Sequence, residues 1–333
     1  MNIAFMGSPE VSKNILEYLI KNNSEKSNLN IKLVVTREDK IRGRGKKLEP
    51  TPVKKLAEEN EIKVLTPKVI DDEFIEEFKK YEIDLALVVA YGKILPKKIL
   101  DLPKYGFINV HFSLLPKYRG ASPVETAILN GDDVTGVTII NMNEKMDEGD
   151  IIFEKEFNIL ENDQTLDVFN KALDITNENI LNVIENIKNG KTNPKKQDEK
   201  DATYTKKLTK DMSKLDFNNL AKDIHNKVRA FSMSIGTNAN ISLNVKIWKT
   251  QIVKKCEEEF ENIQKELAKK YQTDIIDLVA GTLIVKGKKM FVKSTDDLIQ
   301  ILVIQPENKT KMETSTFLNG YLSKIKEENV KIL

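Results

Sequence analysis

Residues 107–120 read FINVHFSLLPKYRG, and this stretch decides the fold class because it places polar side chains at the end of a buried strand. The run FINVHF is typical of a β-strand, in which side chains two residues apart share one face. Phe107, Asn109 and His111 therefore point to the same side. Burying an amide and an imidazole without partners costs about 1–3 kcal/mol each. We therefore expect this face to open onto a polar site where the strand ends.

Short apolar runs alternate with amphipathic segments throughout the first half of the chain. The predicted strands are NIAFMG, IKLVVT, IKVLT, DLALVVAYG, FINVHF and TGVTIINM, and the predicted helices begin at PEVSKNIL, TPVKKLAEE and DDEFIEEFKKY. This alternation indicates an α/β fold, with a parallel sheet covered by helices. Ligands of such sheets bind beyond the carboxyl ends of the strands, where Asn109 and His111 would lie.

The second half of the chain differs from the first in composition and in its predicted secondary structure. A helix is predicted over residues 164–188, and Gly190 would end it. Nine lysines and four acidic residues follow between Lys188 and Lys214, which favours an exposed basic linker. After the predicted helix LAKDIHNKVRAF come the β-like stretches NISLNVKIWKT, GTLIVKG, KMFVKS and LIQILVIQP, so we expect a small β-barrel or sandwich. Residues from about Gln251 to Asp274 are interpreted as an insertion between strands.

Composition excludes several classes of protein. The 333 residues, of which 40% are hydrophobic, suggest two domains, and the 53 basic and 51 acidic residues leave a net charge of +2 that identifies no partner. One cysteine, Cys256, excludes a disulfide framework. The first residues lack the pattern of a signal peptide, and no apolar run is long enough to span a membrane. We therefore expect a cytoplasmic protein with no membrane partner.

The candidate chemical residues of the first half are few. Gly7 is the only glycine of the first strand-to-helix turn, which disfavours a nicotinamide or flavin cofactor. Asp147 follows another predicted central strand, TGVTIINM, so its carboxylate can reach the same sheet edge as His111. Each residue also has a structural interpretation: Asn109 capping a turn, His111 packed in a core, or Asp147 bonded to its own loop. No second histidine lies near His111, which argues against a metal site.

Several motifs together resemble the methionyl-tRNA formyltransferases. They are RGRGKKLEPTPVKKLAEE, NVHFSLLPKYRGASP, TGVTI followed by MDEGDI, and IQPENKTKM with FLNG, in the family's order over residues 1–322. The core H-x-S-L-L-P specifies only the wider group of folate-dependent formyltransferases. The RGRGKKL loop and the second domain restrict the resemblance to the methionyl-tRNA formyltransferases within this group. The resemblance implies a Rossmann-like catalytic domain over residues 1–189 and a basic linker over 190–208. A smaller OB-like β-barrel that binds tRNA would span 209–322, before a polar tail over 323–333.

The resemblance also implies an activity and its residues. The formyl group of 10-formyltetrahydrofolate would pass to the amino group of methionyl initiator tRNA, with Asn109, His111 and Asp147 as the catalytic group and no metal. The folate would lie against Ser113, Leu114, Leu115 and Pro116, and its pterin against Val89, Ala90, Tyr91 and Gly92. Asn109 and His111 could stabilise the oxyanion of a tetrahedral intermediate. Asp147 could orient His111 and favour its charged form, or take a proton through water, and the sequence leaves these routes open.

The loop from Arg37 to Lys55 carries eight basic and three acidic residues, with glycines at positions 43 and 45. The resemblance assigns it to tRNA binding through Arg42, Arg44, Lys46 and Lys47, in a monomeric enzyme. A nucleotide-sugar formyltransferase would leave this loop without a partner. A catalytically inactive RNA-binding relative would leave the three catalytic residues unexplained, and a hydrolase that releases formate would leave the second domain unexplained.

Three further residues or segments need an interpretation. His225 lies among apolar helix neighbours and is interpreted as structural, and Cys256 as a packing or surface residue. Phe112 replaces the small residue common in the family between the histidine and the serine. After RAF, residues 229–231, family members usually continue into a proline-rich turn, whereas this chain continues as SMSIGTNANI, so we expect a different local packing there.

Overall fold

The computed structural model describes residues 1–23, 29–42 and 47–333, which form two compact units. Unit 1 comprises Met1–Pro123, Val134–Asn158 and Phe169–Lys207, and unit 2 comprises Val124–Asp133, Ile159–Val168 and Leu208–Leu333. Among the described residues, no helix combines the length and the apolar character needed to cross a bilayer.

The predicted strands and helices occur in the predicted order, together with further, mostly short elements that the sequence pattern does not indicate. The strands are β1 Asn2–Gly7, β2 Asn30–Val35, β3 Lys40–Arg42, β4 Lys47–Glu49, β5 Lys63–Leu65, β6 Leu85–Val89, β7 Phe107–His111, β8 Arg119–Gly120, β9 Val134–Asn141, β10 Ile151–Asn158, β11 Tyr204–Thr205, β12 Thr237–Asn240, β13 Asn244–Val253, β14 Leu283–Lys286, β15 Lys289–Lys293, β16 Leu298–Pro306, β17 Met312–Glu313 and β18 Val330–Ile332. The α-helices are α1 Glu10–Asn22, α2 Pro52–Glu59, α3 Asp72–Lys79, α4 Lys97–Leu100, α5 Pro123–Asn130, α6 Thr165–Lys188, α7 Ala221–Ala230, α8 Glu258–Tyr271 and α9 Thr314–Tyr321.

Unit 1 is built on a twisted sheet with the strand order β10-β9-β7-β6-β1-β2-β5. The five strands from β7 to β5 run parallel, which confirms the predicted α/β sheet. Strand β6 is buried along its whole length, as its unbroken apolar run predicts. Aromatic and aliphatic side chains of α3, including Phe74 and Phe78, pack on this sheet together with Phe107. The sheet therefore holds the end of β7 between β6 and β9.

The direction of strand β9 differs from the expectation that Asp147 reaches the sheet edge at the end of a parallel strand. It pairs antiparallel with β7, with Ile108 opposite Asn141 and His111 opposite Thr138, so β9 ends beside the start of β7. The following loop then folds back, and Asn141 N–H donates to the carbonyl of Asp150 at 2.9 Å. Gly149 is required at this reversal, because a Cβ there would collide with the carbonyl of Asn141. Asp147 thus reaches the site through a chain reversal, and not at the end of a parallel strand.

Part of the segment expected to form a linker is packed on unit 1. Lys195 exchanges two backbone hydrogen bonds of 2.8 Å with Ile151 at the start of β10. Farther along, β11 pairs in parallel with the short strand β8, with Tyr204 opposite Arg119. The lysines at 195 and 196 remain exposed. The basic side chains therefore face solvent while the backbone of the segment adds to the structure of unit 1.

Unit 2 contains a second sheet in the order β12-β13-β16-β15-β14-β18, with β17 paired to β16. Its core combines side chains of the sheet with those of α7 and α9, such as Ile224, Ile301 and Phe317. The predicted insertion contains helix α8, although Gln251–Val253 still belong to β13. Among the pairings of the described residues, none joins β12 to β18, so the closed OB-like barrel stays a prediction.

Candidate active site

Asn109, His111 and Asp147 meet at the end of β7. Asn109 and His111 lie on the same face of the strand, as the two-residue period predicts. The Asn109 Nδ2 donates to Asp147 Oδ1 at 3.2 Å, and His111 Nδ1 lies 3.7 Å from Asp147 Oδ2. The three polar groups therefore converge from a strand and a loop 38 residues apart.

The imidazole of His111 is held in one orientation. Its Nε2 lies 2.9 Å from the carbonyl oxygen of Tyr118, and a carbonyl can only accept, so Nε2 carries the hydrogen. The residue is only 5% exposed, which favours a single rotamer. Among the described residues, no group hydrogen-bonds Nδ1, which faces the Asp147 carboxylate. Nδ1 is therefore the ring atom that can take up or give a proton.

Both carboxylate oxygens of Asp147 have protein donors. Oδ1 accepts from Asn109, and Oδ2 accepts from the backbone N–H of Gly120 at 2.8 Å. Asp147 itself adopts a left-handed backbone conformation with φ of 55°. One hydrogen of the Asn109 amide is used in this contact, so the second remains available to a ligand. An amide donor thus lies beside a ring nitrogen that can exchange protons.

The turn after His111 is held by the strand that pairs with β7. Thr138, opposite His111, donates its hydroxyl to the carbonyl of Ser113 at 2.7 Å and accepts from Leu115 N–H at 3.1 Å. The Ser113 hydroxyl, itself fully buried, donates to the carbonyl of Lys117 at 2.7 Å. The Leu115–Pro116 peptide bond is cis. The predicted folate turn, residues 113–116, is therefore fixed shortly after His111 in the chain.

The second predicted folate segment, residues 89–92, follows the neighbouring strand β6. Val89 lies opposite Val110 in β7, so the two segments leave adjacent strand ends. The Arg37 side chain donates to the carbonyl of Tyr91 at 2.9 Å and also to that of Gly92. Gly92 has a φ of 68°, and a Cβ there would collide with the Arg37 guanidinium. Burial raises the pKa of the Tyr91 hydroxyl to about 12, so this group stays protonated near neutral pH.

The first strand-to-helix turn serves the packing of unit 1. A Cβ at Gly7 would lie 2.6 Å from Ser12 Cβ and 2.8 Å from the Val89 carbonyl oxygen. The Ser8 hydroxyl accepts from the backbone N–H of Arg37 at 3.1 Å. Gly7 is therefore needed for close approach of the backbone.

The basic loop begins at Arg37. Strands β3 and β4 form a hairpin whose last pair is Arg42 and Lys47. The predicted tRNA contacts Arg44 and Lys46 lie outside the described residues. Lys54, also counted in the basic loop, forms an ion pair of 2.8 Å with Asp39. Because Arg37 holds the 89–92 segment, the hairpin is anchored at the predicted folate site.

The structure also accounts for the residues interpreted as packing groups. Phe112 points away from His111 and packs edge-on against Phe169, with ring centroids 5.4 Å apart. His225 is buried in unit 2 between the hydroxyl of Thr250 and the carbonyl of Glu161. Cys256 is exposed. Arg229, in the RAF that precedes the altered segment, donates to the carbonyls of Leu160 and Asp163.

The sequence pattern does not reveal the residues that hold the loop carrying Asp147. Arg119 is fully buried, and its guanidinium binds the side chain of Gln197. Gln197 in turn donates to two carbonyls of the loop that carries Asp147. The only sequence signal was the position of Arg119 shortly after the folate turn, because its partner is 78 residues away.

Two family models match the chain and together cover most of it. The model described as formyl transferase matches residues 1–184, and the model described as formyl transferase, C-terminal domain, matches residues 207–322. This chain is similar to methionyl-tRNA formyltransferases along nearly its whole length. That of Clostridioides difficile is 38% identical over 96% of this chain and 97% of that protein, and that of Fusobacterium nucleatum is 35% identical over 98% and 99%.

Solved structures share the fold. WlaRD, a sugar 3N-formyl transferase solved in the presence of dTDP and 5-N-formyl-THF, has a TM-score of 0.64 at 22% identity, over 93% of this chain and 99% of that one. HypX from Aquifex aeolicus in complex with tetrahydrofolic acid has a TM-score of 0.63 at 15% identity, over 99% of this chain and 48% of that one.

Proposed function

Because the chain belongs to the methionyl-tRNA formyltransferases, which transfer the formyl group of 10-formyltetrahydrofolate to the amino group of methionyl initiator tRNA, we propose that Asn109, His111 and Asp147 perform this transfer. One observation carries the proposal. The three side chains meet at the end of β7, and the fixed segments 89–92 and 113–116 leave the neighbouring ends of β6 and β7. An amide donor and a ring nitrogen that can exchange a proton thus lie side by side.

Asn109 is the proposed oxyanion donor. Attack of the methionyl amino nitrogen on the formyl carbon converts the carbonyl oxygen into an oxyanion, which a donor fixed beforehand stabilises. Asp147 accepts one hydrogen of the Asn109 amide and orients the second toward this oxygen. Such a donor is worth about 10²–10³-fold in turnover.

His111 is the proposed proton carrier. As the tetrahedral intermediate forms and collapses, the attacking nitrogen must lose a proton, and the N10 nitrogen that leaves the formyl carbon must gain one. Nδ1 of His111 can perform both transfers, because Tyr118 holds Nε2–H on the other side of the ring. The Asp147 carboxylate at 3.7 Å stabilises the ring while it carries the additional charge. No other proton donor is required by this route.

The folate is proposed to lie between the two segments beside the catalytic group. Ser113, Leu114, Leu115 and Pro116 would contact it on one side, and Val89, Ala90, Tyr91 and Gly92 would surround the pterin. The rigid hydrogen bonding of both segments supports this assignment, because a preorganised site loses little entropy on binding.

The basic hairpin is the proposed contact with tRNA. Arg42, Arg44, Lys46 and Lys47 carry the positive charge, and Arg37 anchors the start of the hairpin at the 89–92 segment. Contacts of this kind neutralise phosphates and release counterions. A small nucleotide-sugar substrate would have no use for them, and the relatives named above act on methionyl-tRNA.

The remaining proposals concern the domain boundaries, the oligomeric state and the cellular location. We propose a catalytic domain over residues 1–189, a linker over 190–208 and a tRNA-binding domain over 209–322, supported by family matches over 1–184 and 207–322. A monomer is supported by the completeness of the catalytic group within one unit of one chain. A cytoplasmic location follows from a substrate that is a charged tRNA.

The test is formylation of charged initiator tRNA with 10-formyltetrahydrofolate, measured for the parent and for Asp147→Asn. We expect formylmethionyl-tRNA from the parent and a loss of about 10²-fold in the variant, since an amide cannot stabilise the positive ring. Near-normal turnover of a folded Asp147→Asn protein would remove Asp147 from the catalytic group. Release of formate without formylmethionine would overturn the assigned reaction.

Arg44→Ala separates tRNA binding from the chemistry. If Arg44 contacts one phosphate, the log–log slope of tRNA affinity against salt should become shallower by about one unit. Folate affinity should stay unchanged. Lys79→Ala is the matched control, because Lys79 is an exposed lysine outside the basic loop, in helix α3, where it pairs with Glu76. Its salt slope should equal that of the parent. Equal salt slopes for the parent and Arg44→Ala would exclude the contact.

A further inference from the structure

Arg119 is an ionised side chain with no exposed surface in unit 1. All five N–H groups of its guanidinium are used: Nε and Nη2 donate to Gln197 Oε1, both Nη atoms donate to the carboxylate of Glu199, and Nη1 also donates to the Tyr204 hydroxyl, at distances of 2.8–3.1 Å. Hydrogen bonding to Glu199 raises the pKa of Arg119. A buried charge of this kind is retained at a considerable desolvation cost.

The side-chain amide of Gln197 is oriented by this charge. Because Arg119 donates twice to Oε1, the Nε2 group must point the other way. There it donates one hydrogen to the carbonyl of Asp147 at 2.7 Å and the other to the carbonyl of Gly149 at 2.8 Å. The backbone on both sides of the reversal that carries Asp147 is thus tied to a fixed amide.

The same segment also holds the partner of His111. The backbone N–H of Tyr118 donates to the Thr203 hydroxyl at 2.8 Å, and that of Arg119 donates to the Thr203 carbonyl at 2.8 Å. The carbonyl of Tyr118 is the group that accepts from His111 Nε2. Residues 197–205 therefore contact the backbone groups that hold Asp147 and His111.

We propose that Gln197, oriented by Arg119, is a positioning residue for the transfer reaction: it holds the Asp147 carboxylate where it can orient Asn109 and face His111. Gln197 touches no reacting atom and acts through the backbone of Asp147. The proposal rests on the catalytic role assigned to Asp147 above. It adds the segment 197–205 to the functional part of the chain, although its basic composition suggested a linker.

Gln197→Glu is the sharpest variant, because it keeps the size of the side chain and its two contacts with Arg119. It removes both donors to the Asp147 loop and sets a carboxylate oxygen against two carbonyl oxygens. We expect kcat for formylation to fall about 10- to 100-fold, because a displacement of about 1 Å can cost 10²-fold. KM for both substrates should change less than threefold.

Gln164→Glu is the matched control. Gln164 is equally half-buried, and its Nε2 also donates to a backbone carbonyl, that of Trp248 at 2.7 Å in unit 2. It should keep kcat within twofold of the parent. A comparable loss in this control would overturn the proposal, because the effect would then follow from any such substitution.

A double-mutant cycle with Asp147→Asn distinguishes positioning from general stabilisation. If Gln197 acts through Asp147, then Gln197→Glu should lower kcat less than twofold in the Asp147→Asn background. Equal losses in both backgrounds would overturn the proposal, as would a kcat within twofold of the parent for Gln197→Glu alone. If Asp147→Asn itself kept normal turnover, the catalytic assignment would fail first. Should Gln197→Glu not fold, Gln197→Met, which lacks the donors but adds no charge, is judged by the same criteria.

Discussion

The two histidines of the chain, one in each unit, have similar surroundings and different consequences. Both are buried, with 5% of His111 and 2% of His225 exposed, and each donates Nε2–H to a backbone carbonyl, that of Tyr118 or Glu161. The difference lies at Nδ1. In His225 it accepts from the Thr250 hydroxyl at 2.9 Å, whereas in His111 it faces the Asp147 carboxylate at 3.7 Å.

Burial alone therefore does not distinguish the histidine proposed for catalysis from the structural one. Both nitrogens of His225 are used by the protein, and burial lowers its pKa to about 4, so the ring is neutral at physiological pH. In His111, Nδ1 faces the Asp147 carboxylate instead. The partner of the second nitrogen therefore distinguishes the structural histidine from the one that we propose to act in the transfer.

The largest effect on turnover is expected from variants of His111 and its neighbour Asn109. His111→Ala and Asn109→Ala should each lower kcat for formylation about 10²–10³-fold, because each removes one proton-exchanging or donor group. Both proteins should remain folded by circular dichroism. His225→Gln should keep kcat within twofold at pH 7.5. A similar loss of turnover for His111→Ala and His225→Gln would contradict the distinction between the two histidines.

A smaller effect is expected in the stability of unit 2. Because the folded pKa of His225 lies near 4, below the value of 6.5 in the unfolded chain, the unfolded state takes up a proton first as the pH falls. Stability present above about pH 6.5 is therefore lost down to about pH 4, by a total of about 3 kcal/mol. His225→Gln should lose this dependence.

The single tryptophan, Trp248, lies in β13 of unit 2, so urea unfolding followed by its fluorescence reports on this unit. Carboxylates also titrate between about pH 4 and 6.5. The quantity to compare is therefore the difference between parent and variant in how the free energy of unfolding depends on pH. The same dependence in both proteins would show that His225 does not cause it.

The smallest effect is expected at Thr250. Thr250→Val keeps the shape of the side chain and removes the hydroxyl that donates to His225 Nδ1. The free energy of unfolding of unit 2 should fall by about 1–2 kcal/mol at pH 7.5, because one buried acceptor is left unsatisfied. Turnover should not change. An unchanged free energy of unfolding would mean that His225 Nδ1 does not need this donor, and would weaken the distinction drawn from it.

The sequence by itself determined the α/β sheet of unit 1, the shared face of Asn109 and His111, and most strands of unit 2. These features repeat every two residues along a strand or every three to four along a helix, so they are visible locally. The family resemblance added the activity and the pairing of these residues with Asp147. The charge of the segment after residue 190 suggested a linker, because charge patterns do not reveal backbone pairing.

The way in which Asn109, His111 and Asp147 are held together depends on the tertiary structure. Strand β9 runs antiparallel to β7, and the loop reversal at Gly149 brings Asp147 to Asn109 from 38 residues away. The buried Arg119 finds Gln197 at a separation of 78 residues. Which backbone carbonyls meet these side chains depends on the packing of distant segments, and that packing has no local period in the sequence. For the same reason, the neutral state of His225 became evident only from its partners in the folded unit.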